Sequence, residues 1–341
     1  MACVLRFISL QHRCCNLSLA LAIVYLCTIV STVIGSDAGP EKPEASLNGK
    51  SQRFLFHYHV MITGLPPNSN AALWVPMATS DEHQTVTVRN VALPGPYRIT
   101  KDTQFGNSMF FMKAAADANG QIPIAVDYVI RRLEVTPESG GELTTYDCKH
   151  YLRPNRLVPL GGKPLELLPH KSFIGTSRDT VRKIYDVVDQ HVQYDKPAGG
   201  AWGRGDAVWV CDSRFGNCSD FHSLFISLCR SHGVPARFRI GFPIGPQPKG
   251  KSGGYHCWAQ FAEGNRWLSV DISEADKNPD RKDYYFGHLP PDRVSFSTGR
   301  DLILEPEQAC GPVNFFVYPH VEIDGKLYSG LETDFAFEVV N

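Results

Sequence analysis

Apolar residues occupy every second position at the start of the chain's folded part. The alternation runs through Phe54, Phe56, Tyr58, Val60 and Ile62 until "GLPPNSN" interrupts it. A period of two is typical of a half-buried β-strand. Similar stretches follow in "QTVTVRNVAL", "NSMFFMKAAA" and "IPIAVDYVIRRLEV", separated by the turn sequences "PGPY", "DANG" and "ESGG". We predict that residues 51–150 form an all-β sandwich.

The pattern changes to a helical one near residue 175. Residues 151–172 carry four prolines and no periodicity, which is typical of a connector. Helical spacing then predicts a helix with a capping box formed by Thr176 and Asp179 and with a buried stripe of Val181, Ile184, Tyr185 and Val188. Residues 173–341 are therefore predicted to be a second, α+β domain. Its tail contains two strand patterns, "NFFVYPHVEIDGKLY" and "DFAFEVV", with a hairpin turn at Asp324-Gly325.

A second helix is predicted in "RFGNCSDFHSLFISLCRSHGVPARF", where Phe221, Leu224, Phe225 and Leu228 form the apolar stripe. Gly233 and Pro235 end it. Cys218 lies in the first turn on the same side as this stripe, so it should point inward. Unpaired N–H groups and the helix dipole favour an anion there, which lowers the pKa of a thiol. Gly216 would let a substrate backbone approach closely. A single cysteine in an apolar stripe is more often simple packing, however, so a second observation is needed.

That observation is a hairpin in "HCWAQFAEGNRWLSVD". A loop centred between Glu263 and Gly264 would place His256 directly opposite Asp271 on one face of the hairpin. A carboxylate there orients the imidazole and leaves its other nitrogen free to take a proton from a thiol. The chain thus supplies an activated thiol, a base and an orienting carboxylate, the arrangement that cysteine acyl-transfer chemistry requires.

Composition adds little about partners, whereas the first residues indicate export. The formal net charge of −1 gives no electrostatic reason to expect nucleic acid as a partner. Basic residues precede the uncharged run "NLSLALAIVYLCTIVSTVIG", which predicts that residues 1–35 are a signal peptide or an uncleaved signal anchor. Residues 36–50 resemble a flexible linker. The protein is therefore expected in the periplasm or outside the cell, with membrane contact only through this segment.

Ten cysteines are present, and six of them follow the leader. Six could form three disulfides in an oxidising compartment, but a catalytic thiol would leave at least one other cysteine unpaired. The count is compatible with a nucleophile and does not argue for one.

The segments "GNCSDFHSLFISLCRSHGVPARFRIGF" and "GYHCWAQF…RWLSVD" resemble the transglutaminase-like superfamily of papain-fold cysteine enzymes, in its bacterial branch. The resemblance covers residues ~170–295, and the N-terminal strands resemble the sandwich that often precedes such cores. It implies an α+β fold in which a central helix beginning at Cys218 packs on an antiparallel sheet containing residues 255–271.

The resemblance also implies roles for individual residues. Cys218 would be the nucleophile, His256 the general base and acid, and Asp271 the orienting carboxylate. An oxyanion hole would use the Cys218 backbone N–H and a second donor, for which Trp202 and Trp209 are the candidates. The implied reaction is acyl transfer from the amide of a protein or peptide substrate, without a cofactor. We expect hydrolysis, with protein cross-linking as the alternative.

Two other interpretations stay open. Cys211, Cys218, His222, His256 and Cys257 could be drawn as a metal site, but they lack the paired spacing of zinc ligands, so no metal is expected. His222 is on the Cys218 side of the helix and could serve as a second base. The alternative from another class is a non-catalytic scaffold or adhesion module at the cell surface, in which the sandwich would be the working part.

Overall fold

A computed structural model describes residues 50–168 and 177–340. The predicted export segment and Thr176 of the predicted capping box lie outside this part. None of the helices in the described residues combines the length and the apolarity that a membrane crossing requires.

Two five-stranded antiparallel sheets form the predicted β-sandwich. The strands of the first sheet are β1 (Ser51–Ile62), β3 (Gln84–Ala92), β6 (Ile122–Leu133), β10 (Lys249–Lys251) and β16 (Leu331–Val339). Those of the second are β2 (Asn70–Pro76), β4 (Tyr97–Lys101), β5 (Ser108–Ala115), β14 (His320–Ile323) and β15 (Lys326–Leu327). The first sheet has the order β10-β16-β1-β6-β3, and the second has the order β15-β14-β2-β5-β4.

Strand β1 confirms the period-two pattern, because its five predicted apolar side chains are all buried. Its solvent-side neighbours, among them His57 and His59, are only partly buried. This strict alternation is what a sheet with one buried face requires.

The C-terminal tail completes both sheets of the sandwich. Strand β16 pairs with β1 in a register that places Phe335 opposite Tyr58, and β14 pairs with β2. Asp324 and Gly325 form the predicted hairpin turn, both with positive φ. The strands predicted in the second domain therefore extend the N-terminal sheets, and the domain limits at residues 150 and 173 stay a prediction.

The second part of the fold is α+β, as predicted. A four-stranded antiparallel sheet has the order β12-β11-β9-β13, with β9 (Ala236–Pro243), β11 (His256–Glu263), β12 (Arg266–Val270) and β13 (Arg293–Thr298). Its helices are α3 (Ser177–His191), α4 (Ala207–Ser213), α5 (Cys218–Ser231) and α6 (Ile272–Lys277). A short parallel pair, β7 (Gln193–Tyr194) and β8 (Phe215–Gly216), lies before α5.

Helix α5 is the central helix. Its predicted stripe is fully buried, and Phe225 packs edge-on against Phe261 of β11 with ring centroids 6.3 Å apart. Burial of each phenylalanine side chain contributes roughly 1.5–3 kcal/mol to the free energy of unfolding. The helix ends at Ser231. Gly233 then has a φ of +76°, the left-handed conformation that glycine commonly supplies after the end of a helix, as predicted. Helix α3 likewise buries its four predicted apolar residues.

The sandwich and the four-stranded sheet share one hydrophobic core. Phe56 lies 5.3 Å from Phe242 of β9, and Tyr58 stacks on Phe296 of β13 at 5.4 Å, measured between ring centroids. Because aromatic pairs of this kind add to the free energy of burial, the sandwich supports the sheet that carries the site.

The sequence pattern does not predict α1 (Thr145–His150), α2 (Lys163–Leu167), α4, β2 or β4. Each is seven residues or shorter. Such lengths show about two periods of a helix or three of a strand, too few to separate from a loop.

Candidate active site

Cys218 is the first residue of α5, and it is 2% exposed. Asn217 caps the helix: its Oδ1 accepts the Ser219 N–H at 2.9 Å, while Asp220 accepts the Asn217 N–H at 3.0 Å. This reciprocal capping box fixes where the helix begins. The Cys218 thiol therefore sits at the positive end of the helix dipole, as the sequence predicts.

Asp220 also holds the loop that passes over the start of α5. Its carboxylate accepts the N–H of Gly203 at 2.7 Å and that of Gly205 at 2.9 Å. A Cβ at Gly216 would lie 2.6 Å from the Asp220 carboxylate oxygen. In this structure the glycine makes room for Asp220, a role that the sequence analysis had not identified.

His256 and Asp271 are in contact, as predicted. The His256 Nε2 donates to Asp271 Oδ2 at 2.7 Å, and the Asp271 side chain is fully buried. The Cys218 thiolate and the His256 imidazolium also stabilise each other's charge. Since Nε2 is committed to Asp271, Nδ1 is the nitrogen left to exchange a proton with the thiol. All six described cysteines are free thiols, so Cys218 has no disulfide partner among them.

The hairpin register behind this contact differs from the prediction. Strands β11 and β12 pair Glu263 with Arg266, so the loop is Gly264-Asn265 and its centre is one position later than expected. The prediction that Asp271 lies directly opposite His256 is therefore wrong. Asp271 follows β12 as the N-cap of α6 and reaches His256 diagonally. An even shift in register keeps side chains on the same face, which is why the contact survives the error.

The electrostatics favour a thiolate and an imidazolium. Burial would raise the pKa of the Cys218 thiol, but hydrogen bonds from Cys257 and His256 and the imidazolium charge hold that pKa well below its usual value. Burial would lower the pKa of His256, but the Asp271 carboxylate and the Cys218 thiolate raise it to about 10. At a pH between the lowered pKa of Cys218 and the raised pKa of His256, the pair exists as thiolate and imidazolium. This is the reactive form of a cysteine nucleophile.

Asp271 is held by more than His256. The Arg293 guanidinium donates to the same oxygen, Oδ2, at 2.8 Å. The other oxygen accepts the Ser273 hydroxyl at 3.0 Å and the Glu274 N–H at 3.2 Å. Arg293 is buried on β13 and was missed by the sequence analysis, because nothing local marks a residue 22 positions beyond its partner.

His222 and Cys257 form the inner wall of the site. His222 Nε2 accepts the Ile272 N–H at 3.1 Å, so its proton is on Nδ1, which lies 3.7 Å from the Cys257 sulfur. Burial lowers the pKa of His222 to about 4, which keeps it neutral. A neutral histidine that is already accepting a hydrogen bond supports α6 and is a poor second base.

The candidate oxyanion donors have other contacts. Trp202 donates its indole N–H to the Pro197 carbonyl at 3.0 Å. Trp209, on α4, packs edge-on against Phe215 at 5.5 Å. Their assignment to an oxyanion hole stays a prediction. The Cys218 backbone N–H, at the first helical position, has no carbonyl four residues earlier within the helix and so remains a suitable donor.

Tyr255 joins the helix start to the opposite wall. It accepts the Asn217 Nδ2–H at 2.9 Å and donates to the Gly203 carbonyl at 3.2 Å. Its ring packs against Phe315 with centroids 5.5 Å apart. Asn217 and Tyr255 were not among the predicted site residues, although Asn217 and Asp220 carry a readable capping-box spacing.

Three clusters of potential metal ligands occur in the described residues, and none of them contains Cys218, His256 or Asp271. Of the residues considered as a zinc site, His256 donates to Asp271, and Cys211 on α4 donates its thiol to the Ala207 carbonyl.

A helix that presents a cysteine to a His–Asp pair on an antiparallel sheet defines a papain-like cysteine fold. Residues 171–272 match the family model of the transglutaminase-like superfamily. The match covers less than a third of the chain and supports the resemblance to that superfamily for this segment. The assignment of the chain to a particular branch stays a prediction.

The chain is similar to several known proteins. An uncharacterized protein of Haemophilus influenzae is 26% identical over 320 residues, which covers 79% of this chain and 85% of the relative. A candidate cysteine protease of Cytophaga hutchinsonii, whose structure is solved, has a TM-score of 0.57 at 16% identity and covers 86% of this chain and 92% of its own. The periplasmic domain of TgpA from Pseudomonas aeruginosa has a TM-score of 0.34 at 16% identity and covers 68% of this chain and 90% of that domain.

Proposed function

We propose that this protein is a cysteine enzyme that transfers acyl groups from amide bonds, and that water is the usual acceptor. The observation that carries the proposal is the buried relay of Cys218, His256 and Asp271, with a 2.7 Å hydrogen bond between the histidine and the carboxylate and a thiol whose pKa is lowered. A packing cysteine at 2% exposure would have a raised pKa, as the buried Cys229 has.

Acylation would begin with attack of the Cys218 thiolate on the carbonyl carbon of the substrate amide. A carbon–sulfur bond forms, and the carbonyl π electrons move to oxygen. The Cys218 N–H stabilises this oxyanion with a second donor, for which Trp202 and Trp209 stay the candidates. When the carbon–nitrogen bond breaks, Nδ1 of His256 gives its proton to the leaving amine, and a thioester remains on Cys218.

Deacylation returns the site to its starting state. Nδ1 of His256 takes a proton from the acceptor, which attacks the thioester carbon and expels the thiolate. With water as the acceptor the product is a carboxylic acid, and with a lysine amine it is an isopeptide cross-link. The Cytophaga protein of the same fold is named as a protease, which supports hydrolysis for this chain. Cross-linking is the alternative.

The proposed substrate is a protein or peptide, and the proposed location is outside the cytoplasm. Location follows from the apolar, basic-flanked leader in residues 1–35 and the polar linker after it. Cell fractionation checks this proposal, and full-length protein found in the cytoplasm would contradict it.

Incubation with casein and a fluorescent primary amine tests the reaction, beside a Cys218→Ala control. Cleavage of casein without label, lost in the control, is the expected result. Label incorporated only by the unmutated protein would favour cross-linking. Equal inertness of both proteins with several substrates would favour the non-catalytic scaffold, and slow labelling of Cys218 by a small electrophile at neutral pH would support the same conclusion.

A further inference from the structure

Two histidines lie on the solvent face of β1, away from the candidate active site. His57 and His59 are separated by one residue, so the strand's period of two places both imidazoles on the same face. Their side chains are 34% and 42% exposed, whereas the alternate residues of the strand are buried in the sandwich. The pair is therefore accessible from solvent but anchored on a long central strand.

Asp127 brings the two imidazoles together. It is the register partner of His57 on the neighbouring strand β6. Its Oδ1 lies 2.7 Å from His57 Nδ1 and 3.0 Å from His59 Nε2. The second oxygen, Oδ2, accepts the side-chain N–H of Asn90 on β3 at 3.2 Å. Two imidazole nitrogens and one carboxylate oxygen, all atoms that can bind a metal, thus lie close together. The hydrogen bond from Asn90 orients the carboxylate, as hydrogen bonds from neighbouring residues orient metal ligands.

We infer that His57, His59 and Asp127 form a binding site for one divalent first-row transition-metal ion, with Zn²⁺ as the representative ligand. Two imidazoles and a carboxylate are a donor set that these metals favour. Bond lengths of about 2.0–2.1 Å around a tetrahedral ion require donor atoms about 3.3 Å apart. The observed 2.7 and 3.0 Å would have to widen by a few tenths of an ångström, which small side-chain rotations supply.

The surroundings favour a cation and leave it open positions. Beside His59 is a hollow of about 390 Å³ that is lined in part by Met61, Glu332 and Asp334. Asp334 is the register partner of His59 on β16 and forms an exposed ion pair with Lys251 at 2.9 Å. With three protein ligands, a tetrahedral metal would keep one coordination site for water or an anionic ligand, and His59 also lines the hollow.

The other two clusters of potential ligands are already engaged. Glu322, next to His320, accepts the backbone N–H groups of Ala309 and Cys310. Asp81, in the third cluster, pairs with the buried Arg239 of β9. Both clusters have a structural role without a metal, whereas the described partners of Asp127 are His57, His59 and Asn90.

Calorimetric titration of the tag-free full chain with Zn²⁺ tests the site, together with titration with Co²⁺ followed by its visible spectrum. The expected result is one ion per chain bound through nitrogen and oxygen, without the sulfur charge-transfer absorption that a thiolate ligand would give. His57→Gln/His59→Gln and the isosteric Asp127→Asn should each weaken binding by about tenfold or more. His150→Gln, which changes a partly buried histidine elsewhere, should leave it unchanged.

Three results would overturn the inference. The wild-type chain could fail to bind Zn²⁺ or Co²⁺ at millimolar concentration, the Asp127→Asn and double-histidine variants could bind as tightly as wild type, or His320→Gln could abolish the binding. Because the readout is metal binding, the outcome is independent of whether the proposed acyl transfer is correct.

Discussion

Replacing Asp271 with asparagine removes the carboxylate that contacts His256 while it keeps the shape of the side chain. Asp271 Oδ2 lies 2.7 Å from His256 Nε2 and 2.8 Å from an Arg293 nitrogen. The substitution therefore takes away the counter-charge of the imidazolium and leaves the guanidinium beside it. We expect the ion pair between Cys218 and His256 to be lost at neutral pH.

The size of the effect follows from the distance. Two unit charges 2.7 Å apart at an effective dielectric constant of about 20 interact by roughly 6 kcal/mol, which corresponds to about 4 pKa units. A His256 pKa of about 10 would then fall to roughly 6. Without an imidazolium, the Cys218 thiol returns to the ordinary range near 8.5 or above.

The rate of alkylation of Cys218 by iodoacetamide, followed by peptide mass spectrometry between pH 5 and 10, measures this change. In the unmutated protein the rate should stay on its plateau well below pH 7. In Asp271→Asn it should fall about tenfold per pH unit below about 8.5, so that the rate at pH 5.5 is roughly a thousandfold below that variant's own plateau. Normalising each protein to its own plateau removes differences in accessibility.

Two controls separate chemistry from folding. Glu274→Gln makes the same chemical change three residues away, on the first turn of α6, and should keep the wild-type profile. Asp271→Asn combined with Arg293→Met also removes the buried guanidinium, which in the single variant would keep Asp292, 3.4 Å away, as a counter-charge. If a folded Asp271→Asn protein keeps its labelling plateau at pH 5.5, the assigned role of Asp271 is wrong.

Three further predictions concern the same site. Arg293→Met should lower kcat roughly 10- to 100-fold with KM unchanged, because it removes one charged hydrogen bond to Asp271. Arg293→Lys should recover part of the lost kcat, and an unchanged kcat in Arg293→Met would refute the positioning role. The pH profile of kcat/KM should rise on the acid side below the usual thiol range, because Cys218 ionises early, and should fall near the His256 pKa of about 10; a single ionisation near 8.5 would contradict it. Asp220→Asn should lower the free energy of unfolding by about 1–3 kcal/mol in urea titration, because Asp220 accepts three backbone N–H groups; an unchanged midpoint would argue against this.

Features that depend on local periodicity could be predicted from the sequence. Helix α5 is 14 residues long and β1 is 12 residues long, and both elements form where the pattern places them. Cys218 falls at the start of α5 because the capping residues Asn217 and Asp220 are local too.

Contacts between distant segments could not be predicted. Strand β16 lies beside β1, and Arg293 binds Asp271 from another strand, but nothing in either segment specifies its partner. The contact between His256 and Asp271 lies between these cases. The observed loop centre lies one position after the predicted one, which moves each cross-strand partner by two residues. Because the period of a strand is two, His256 and Asp271 are still on the same face.

The most direct test of the central claim is to trap the acyl-enzyme. Unmutated protein, Cys218→Ala and Cys257→Ser are mixed with 4-nitrophenyl acetate at pH 7, quenched in acid within the first turnovers and digested for mass spectrometry. Cys257→Ser is the matched control, because Cys257 is a buried free thiol whose sulfur lies 3.7 Å from His222 Nδ1, on the wall of the same site. We predict an acetyl group on the Cys218 peptide of the unmutated and Cys257→Ser proteins and none on Cys218→Ala. Acetylation of the Cys257 peptide instead, or equal release of nitrophenol by Cys218→Ala, would contradict the assignment of Cys218 as the nucleophile.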